Sequence, residues 1–214
     1  MEALIPCDFR VYDKPLGGGA KNEHFREMLQ KAQERGFKPR YVLFDNWYSS
    51  LKNLKAARSY GWLWLTRLKS NRLFDPDGKG NVNISALEEV LPEGRIVHLK
   101  GYGFIRVFRT ASRNGGAEYW ATSDLDLTEE KREELETQGW GIETYHRGIK
   151  QCCGIEKSQV RSATAQKRHI LLAIRSFIRL EAHRLRTGVS WYKAKVSIIR
   201  EAVRTYLANP TYIL

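Results

Sequence analysis

The chain has 214 residues, enough to bury a sizeable core, and its 42% hydrophobic content excludes an intrinsically disordered protein. It lacks any run of about 18 apolar residues and has no signal-peptide pattern at Met1-Glu2-Ala3-Leu4, so the expected location is the cytoplasm. The net charge of +12 is unevenly spread: residues 1–70 hold 13 Lys and Arg against 7 Asp and Glu, residues 71–140 hold 9 against 13, and residues 141–214 hold 14 against 4. A basic C-terminal third suits a polyanion partner. Cys7 and the adjacent Cys152-Cys153 have neither a disulfide framework nor metal-ligand spacing, and read as reduced structural residues.

Leu4 to Tyr12 alternates apolar and polar residues after Pro6 and predicts an edge strand. Asp13 to Lys21, with Gly17-Gly18-Gly19, reads as a loop and not a phosphate loop, because no Gly-Lys-Ser/Thr follows. Asn22 is a candidate N-cap for a helix with Phe25, Met28, Leu29 and Ala32 inward and a stop at Gly36. Tyr41–Phe44 is a short apolar run bounded by turn-prone residues, which predicts a buried strand delivering Asp45 at its carboxyl end. Chemistry gathers at that end in open α/β sheets, although an Asp there often only caps the next element.

Ser49 or Ser50 is placed to cap a second helix, with Leu51, Leu54 and Ala57 inward and Gly61 closing it. Trp62–Thr66 predicts another buried strand, whose basic tail, including Arg67 and Lys69, emerges beside Asp45 if the two strands run parallel. Arg95–Leu99, Tyr102–Thr110 and Ala117–Thr122 predict an inserted β meander turning at Gly101 and at Asn114-Gly115-Gly116. Thr128 caps an acidic helix whose glutamates read as a solvated face.

On a helix starting near Trp140, Glu143, Arg147 and Lys150 fall at i, i+4 and i+7, so a carboxylate and two cations share one face while Ile142, Tyr145 and Ile149 share another. Alone, this pattern is commonly a surface ion-pair ladder. A long helix over Ile170–Leu185 follows, with Leu171, Leu172, Ile174, Phe177, Ile178 and Leu185 expected inward, then an amphipathic helix over Val196–Leu207 ending near Asn209-Pro210.

The segment Val42-Leu43-Phe44-Asp45-Asn46-Trp47-Tyr48-Ser49-Ser50 and the spacing Glu143 to Lys150, taken with the order of elements between them, resemble the catalytic half of insertion-sequence transposases of the DDE type. The resemblance implies an α/β, RNase H-like mixed sheet flanked by helices, with a β-rich insertion between the second Asp and the Glu helix. It implies that Asp45 and Glu143 are catalytic ligands of a two-metal Mg²⁺ (or Mn²⁺) site, and that Lys150 contacts DNA phosphate near the cleavage point. Arg147, Arg67 and Lys69 are the accompanying DNA-binding candidates. The expected partners are double-stranded DNA at transposon ends and target and, when full length, a second copy of the chain; the expected location becomes cytoplasmic and nucleoid-associated.

Two positions depart from the pattern. The related signature carries a Tyr seven residues and an Arg four residues before the Glu, where this chain has Glu136 and Gly139. An earlier Asp belongs on the first strand of such folds, and Asp8 and Asp13 lie on the wrong strand for it. The expected domains are a first core part at 1–72 lacking its first strands, the insertion at 73–122, the Glu-bearing core helices at 123–186 and a basic helical tail at 187–214. The expected protein is therefore an N-terminally truncated transposase with an incomplete metal site. The alternative is a non-catalytic DNA-binding or regulatory protein using the basic C-terminal helices; an unrelated nuclease would need a third acidic ligand, for which Asp124 is the best candidate. Trp47, Tyr48 and Trp140 are readable as core or as base-stacking aromatics.

Overall fold

The computed structural model describes residues 3–11, 21–86, 93–111 and 115–210. The chain forms two compact units, Lys14–Gly139 and Met1–Asp13 with Trp140–Leu214. The loop predicted at Asp13 to Lys21 and the Asn114 end of the later turn fall largely outside the described residues.

The first unit is built on a seven-stranded mixed sheet. Its strands are β1 (Tyr41–Phe44), β2 (Leu63–Leu68), β3 (Leu73–Asp75), β4 (Val82–Asn83), β5 (Arg95–Leu99), β6 (Gly103–Ala111) and β7 (Ala117–Thr122), in the order β1-β2-β7-β6-β5-β3-β4. β1 and β2 are parallel, with Phe44 opposite Thr66, and are joined by helix α2 (Leu51–Ser59). The predicted meander is present, and β7 pairs antiparallel to β2 with Leu68 opposite Tyr119, so it extends the sheet that carries Asp45.

Period-two alternation explains the layers. Val42, Phe44, Trp64 and Leu68 meet Phe25 and Leu29 of helix α1 (Lys21–Glu34) and Leu54 and Ala57 of α2, while Tyr41, Leu43, Leu65 and Phe108 meet Leu135 of helix α3 (Glu129–Gly139). The β1–β2 end of the sheet is therefore covered on both faces, which is why β1 reads as a continuous apolar run.

Several expectations change at their boundaries. Residues 3–11 form no strand: Leu4 packs into the helical core of the second unit and its N–H donates to Glu181 at 2.8 Å, so the start of the segment is held without a ladder. Asn22 lies inside α1, where its side-chain oxygen accepts from Asn53 at 2.7 Å. Ser50 caps α2 through the Asn53 N–H, and the Ser49 hydroxyl turns back to the Asn46 carbonyl. The acidic run on α3 is only partly solvated: Arg132 is buried and holds Glu129 and Glu136, and it lies over Phe108 and Trp120.

The second unit packs helix α4 (Gly141–Cys153), α5 (Ala163–Thr187) and α6 (Trp191–Ala208) around Ile149, Ala173, Phe177, Leu180, Trp191 and Ala194. Gly148 lets Trp191 and Phe177 approach α4, since a Cβ there would lie 2.8 Å from the indole. Of the residues expected inward on α5, Phe177 is buried, while Leu171, Leu172, Ile178 and Leu185 are exposed. α5 carries apolar residues all round, so periodicity did not select a face, and the neighbours α4 and α6 did. Ile142 is likewise exposed while Tyr145 and Ile149 face the core. The three cysteines are free thiols, and burial pushes Cys153 up to about 11, consistent with an inert structural role. Among the described residues no helix is long and apolar enough to cross a membrane.

Candidate metal and nucleic-acid site

Asp45 follows β1 directly and opens a one-turn 3-10 helix, Asn46–Tyr48. The turn that presents it is held at three carbonyls. Thr66 Oγ1 donates to Phe44 O at 2.7 Å, Asn53 Nδ2 donates to Tyr48 O at 2.8 Å, and the Arg72 guanidinium donates to Ser49 O. Asn53 is fully buried and also accepts from Arg26 at 2.9 Å, so α1, α2 and the turn share one polar hub. Burial lowers the Arg72 pKa from its ordinary value.

Sequence reading did not find this clamp. Asn53 left one signal, a polar residue four positions before Ala57 on the inner face of α2, whereas Arg72 left none.

The Asp45 carboxylate is exposed and takes no hydrogen bond or ion pair among the described residues. Beyond it, Arg67 lies within β2 and not in a tail after it, because β2 continues to Leu68 to meet β7. The strands being parallel, Arg67 and Lys69 do emerge past the Asp45 end of β1. Arg67 pairs with Glu118 at 3.2 Å and lies over Trp120, and the exposed Lys69 ammonium stands 5.3 Å from the Trp47 ring centroid.

Asp124 is excluded as a companion ligand. Its carboxylate accepts from the Tyr41 hydroxyl, at the amino end of β1, and its own backbone N–H is held by Thr122 Oγ1 at 3.1 Å. Tyr41 and Asp45 are separated by the length of a four-residue strand, roughly 13 Å. Burial, reinforced by Asp124, raises the Tyr41 pKa to about 12, so this pair is a fixed structural bond.

In the second unit, Glu143 lies in the first turn of α4 and Lys150 in its last. Glu143, Arg147 and Lys150 are all exposed. Glu143 makes no hydrogen bond or ion pair among the described residues and acts on Lys150 only through its field, whereas the Lys150 ammonium pairs with Glu156 at 2.7 Å, which raises its pKa. This pair is exposed on both sides and weak. Substituting Glu156→Gln should release the ammonium and tighten duplex DNA binding by about two- to fivefold in a low-salt titration; unchanged affinity would remove Lys150 from the DNA contacts.

Asp8 does not supply an earlier ligand from a strand: it accepts from Arg10 at 2.6 Å and from the Phe9 N–H at 2.7 Å. Asp13 lies outside the described residues. No group of three or more His, Cys, Asp or Glu side chains is poised around one point among the described residues. Asp45 and Glu143 nevertheless fit a divalent cation in kind, being hard oxygen donors not committed to any protein donor, unlike Asp124 and Glu181.

A mixed sheet layered between helices, with a carboxylate at the end of the parallel β1–β2 pair at one edge and a second on a helix after a β-rich insertion, defines an α/β protein of RNase H-like architecture. The transposase DDE domain family profile matches residues 8–178, and the chain belongs to that family. No curated protein matches the chain. The family is one of transposase enzymes that act on DNA with divalent metal ions.

Proposed function

We propose that the chain is the catalytic portion of an insertion-sequence transposase, cleaving and joining DNA strands at element ends through metal held by Asp45 and Glu143. The observation that carries the reading is Asp45, presented uncommitted at the strand end by the Thr66, Asn53 and Arg72 clamp. Asp45 and Glu143 hold Mg²⁺ or Mn²⁺, and a two-metal site would stabilise charge on the attacking and leaving oxygens of the phosphodiester. Arg67 and Lys69 bind backbone phosphate beside Asp45, and Arg147 and Lys150 bind it beside Glu143. We assign the division at 1–72, 73–122, 123–186 and 187–214 to first core part, insertion, Glu-bearing core and basic tail, and the location to the nucleoid.

β1 is the terminal strand of the sheet, and the described residues before it provide no further strand with an Asp. The 214-residue chain is therefore proposed to bind duplex DNA yet to cleave it little or not at all with Mg²⁺. Robust cleavage abolished by Asp45→Ala would overturn the incomplete-site argument. Mn²⁺ binding followed by electron paramagnetic resonance should fall at least fivefold in Asp45→Asn and Glu143→Gln; DNA binding that survives both substitutions with no carboxylate-dependent metal binding would favour the regulatory reading.

Pairing of two copies has support in α6. Val196, Ile199, Val203 and Tyr206 recur at coiled-coil spacing and are exposed, with Lys195, Arg200 and Arg204 alongside.

A further inference from the structure

Trp47, two residues after Asp45, is 70% exposed, although its neighbour Tyr48 stacks on Phe25 at the edge of the core. A large aromatic held in water on a clamped turn has no packing role there. Two ammonium groups attend it, Lys69 at 5.3 Å and Lys21 at 6.0 Å from the ring centroid. Lys69 also lines a cleft of roughly 530 Å³ with Asn46, Arg67, Ser70, Asn71 and Tyr119, in the size range of small-ligand sites of about 300–1,000 Å³. The cleft wall mixes these polar and basic side chains with Leu68, Ala117 and Glu118, the last paired with Arg67.

An exposed indole attended by two lysine ammonium groups suits a nucleotide whose base is not paired. The base stacks on the indole, and the flanking phosphates meet Lys21, Lys69 and Arg67. The interior of a duplex cannot use the same feature, because its base faces are already stacked, and a blunt end offers only the outer face of a paired base. We propose that Trp47 is a stacking platform for one unpaired nucleotide beside Asp45, so that a frayed or single-stranded DNA end is held at the strand end. This assignment rests on the DNA reading above and identifies the form of DNA that the Asp45 edge takes.

The test compares a blunt duplex with the same duplex carrying a short unpaired 3′ tail, the tail containing 2-aminopurine. The wild-type chain should bind the tailed DNA about tenfold more tightly, as expected for one stacked base, and quench the 2-aminopurine. Trp47→Ala should lose both the preference and the quenching while its affinity for the blunt duplex stays unchanged, and Trp47→Phe should keep most of both. The high exposure of Trp47 means that Trp47→Ala should retain the wild-type circular dichroism. Equal wild-type affinity for the two DNAs, a preference that persists in Trp47→Ala, or an equal loss on both DNAs would overturn the platform while leaving the transposase reading standing. Failure of the wild-type chain to bind either DNA would overturn both.

Discussion

Duplex DNA binding by the chain is expected to weaken by roughly a hundredfold when salt rises from about 50 to about 200 mM. The four cations assigned to phosphate, Arg67, Lys69, Arg147 and Lys150, give a slope of log affinity on log salt of about −3.6, at about 0.9 per contact. The remaining excess charge, concentrated in residues 141–214, can only steepen it. Removing Lys69 or Arg147 should weaken binding evenly across sequences and flatten the slope by about 1 each. A slope near zero would eliminate phosphate recognition and with it the proposed function. Pairing through α6 should respond with the opposite sign. Its apolar seam is flanked by Lys195, Arg200 and Arg204, so salt screens the repulsion between two copies and strengthens association in sedimentation runs.

Glu181→Ala is expected to destabilise the helical unit by about 3–5 kcal/mol, read as a lower midpoint in urea unfolding. The Glu181 carboxylate is 2% exposed and accepts four hydrogen bonds. Oε1 takes the Leu4 N–H at 2.8 Å and one Arg184 nitrogen at 2.7 Å; Oε2 takes Arg184 Nε and Trp191 Nε1, each at 2.7 Å. Truncation strands a guanidinium, an indole N–H and a backbone N–H together, and it also frees residues 3–11, which have no ladder of their own. Glu181→Gln keeps the shape but turns an amide donor toward other donors, so an intermediate loss is expected. A loss below about 1 kcal/mol in the Ala variant would mean that water replaces these bonds without strain.

The same residue sets an acid limit. Arg184 holds the Glu181 carboxyl below its ordinary value of 4.5 against the opposing effect of burial, with Leu4 and Trp191 adding to Arg184. A depressed folded-state value contributes stability that is complete above the unfolded value and is lost as pH falls below it. Unfolding midpoints of the wild type should therefore fall on acidification below about 4.5, and Glu181→Gln should lack that component.

How much of this was legible in advance depends on whether the signal is local. The Tyr41–Phe44 strand, the Ser50-capped helix, the β5 to β7 meander and the Glu143 helix were all readable, because apolar periodicity and capping chemistry act within a few residues. The strand expected at Leu4–Tyr12 is absent over the described residues 3–11 because alternation is silent about what lies alongside, and here a helix carboxylate, not a neighbouring strand, takes the Leu4 N–H. Arg72 was invisible for the same reason: its partner, the Ser49 carbonyl, is 23 residues away.

By itself the sequence determined the family and placed Asp45 at a strand end and Glu143 on a helix, since residue type and spacing carry that chemistry. Only the tertiary structure decided which carboxylates are uncommitted. Asp124 and Glu181 are bound by donors distant in sequence, Asp45 and Glu143 are not, and Trp47 stands in water beside two lysines while Tyr48 turns to the core. Burial and hydrogen-bond commitment come from contacts made across the fold, and those exist only once the chain has closed on itself.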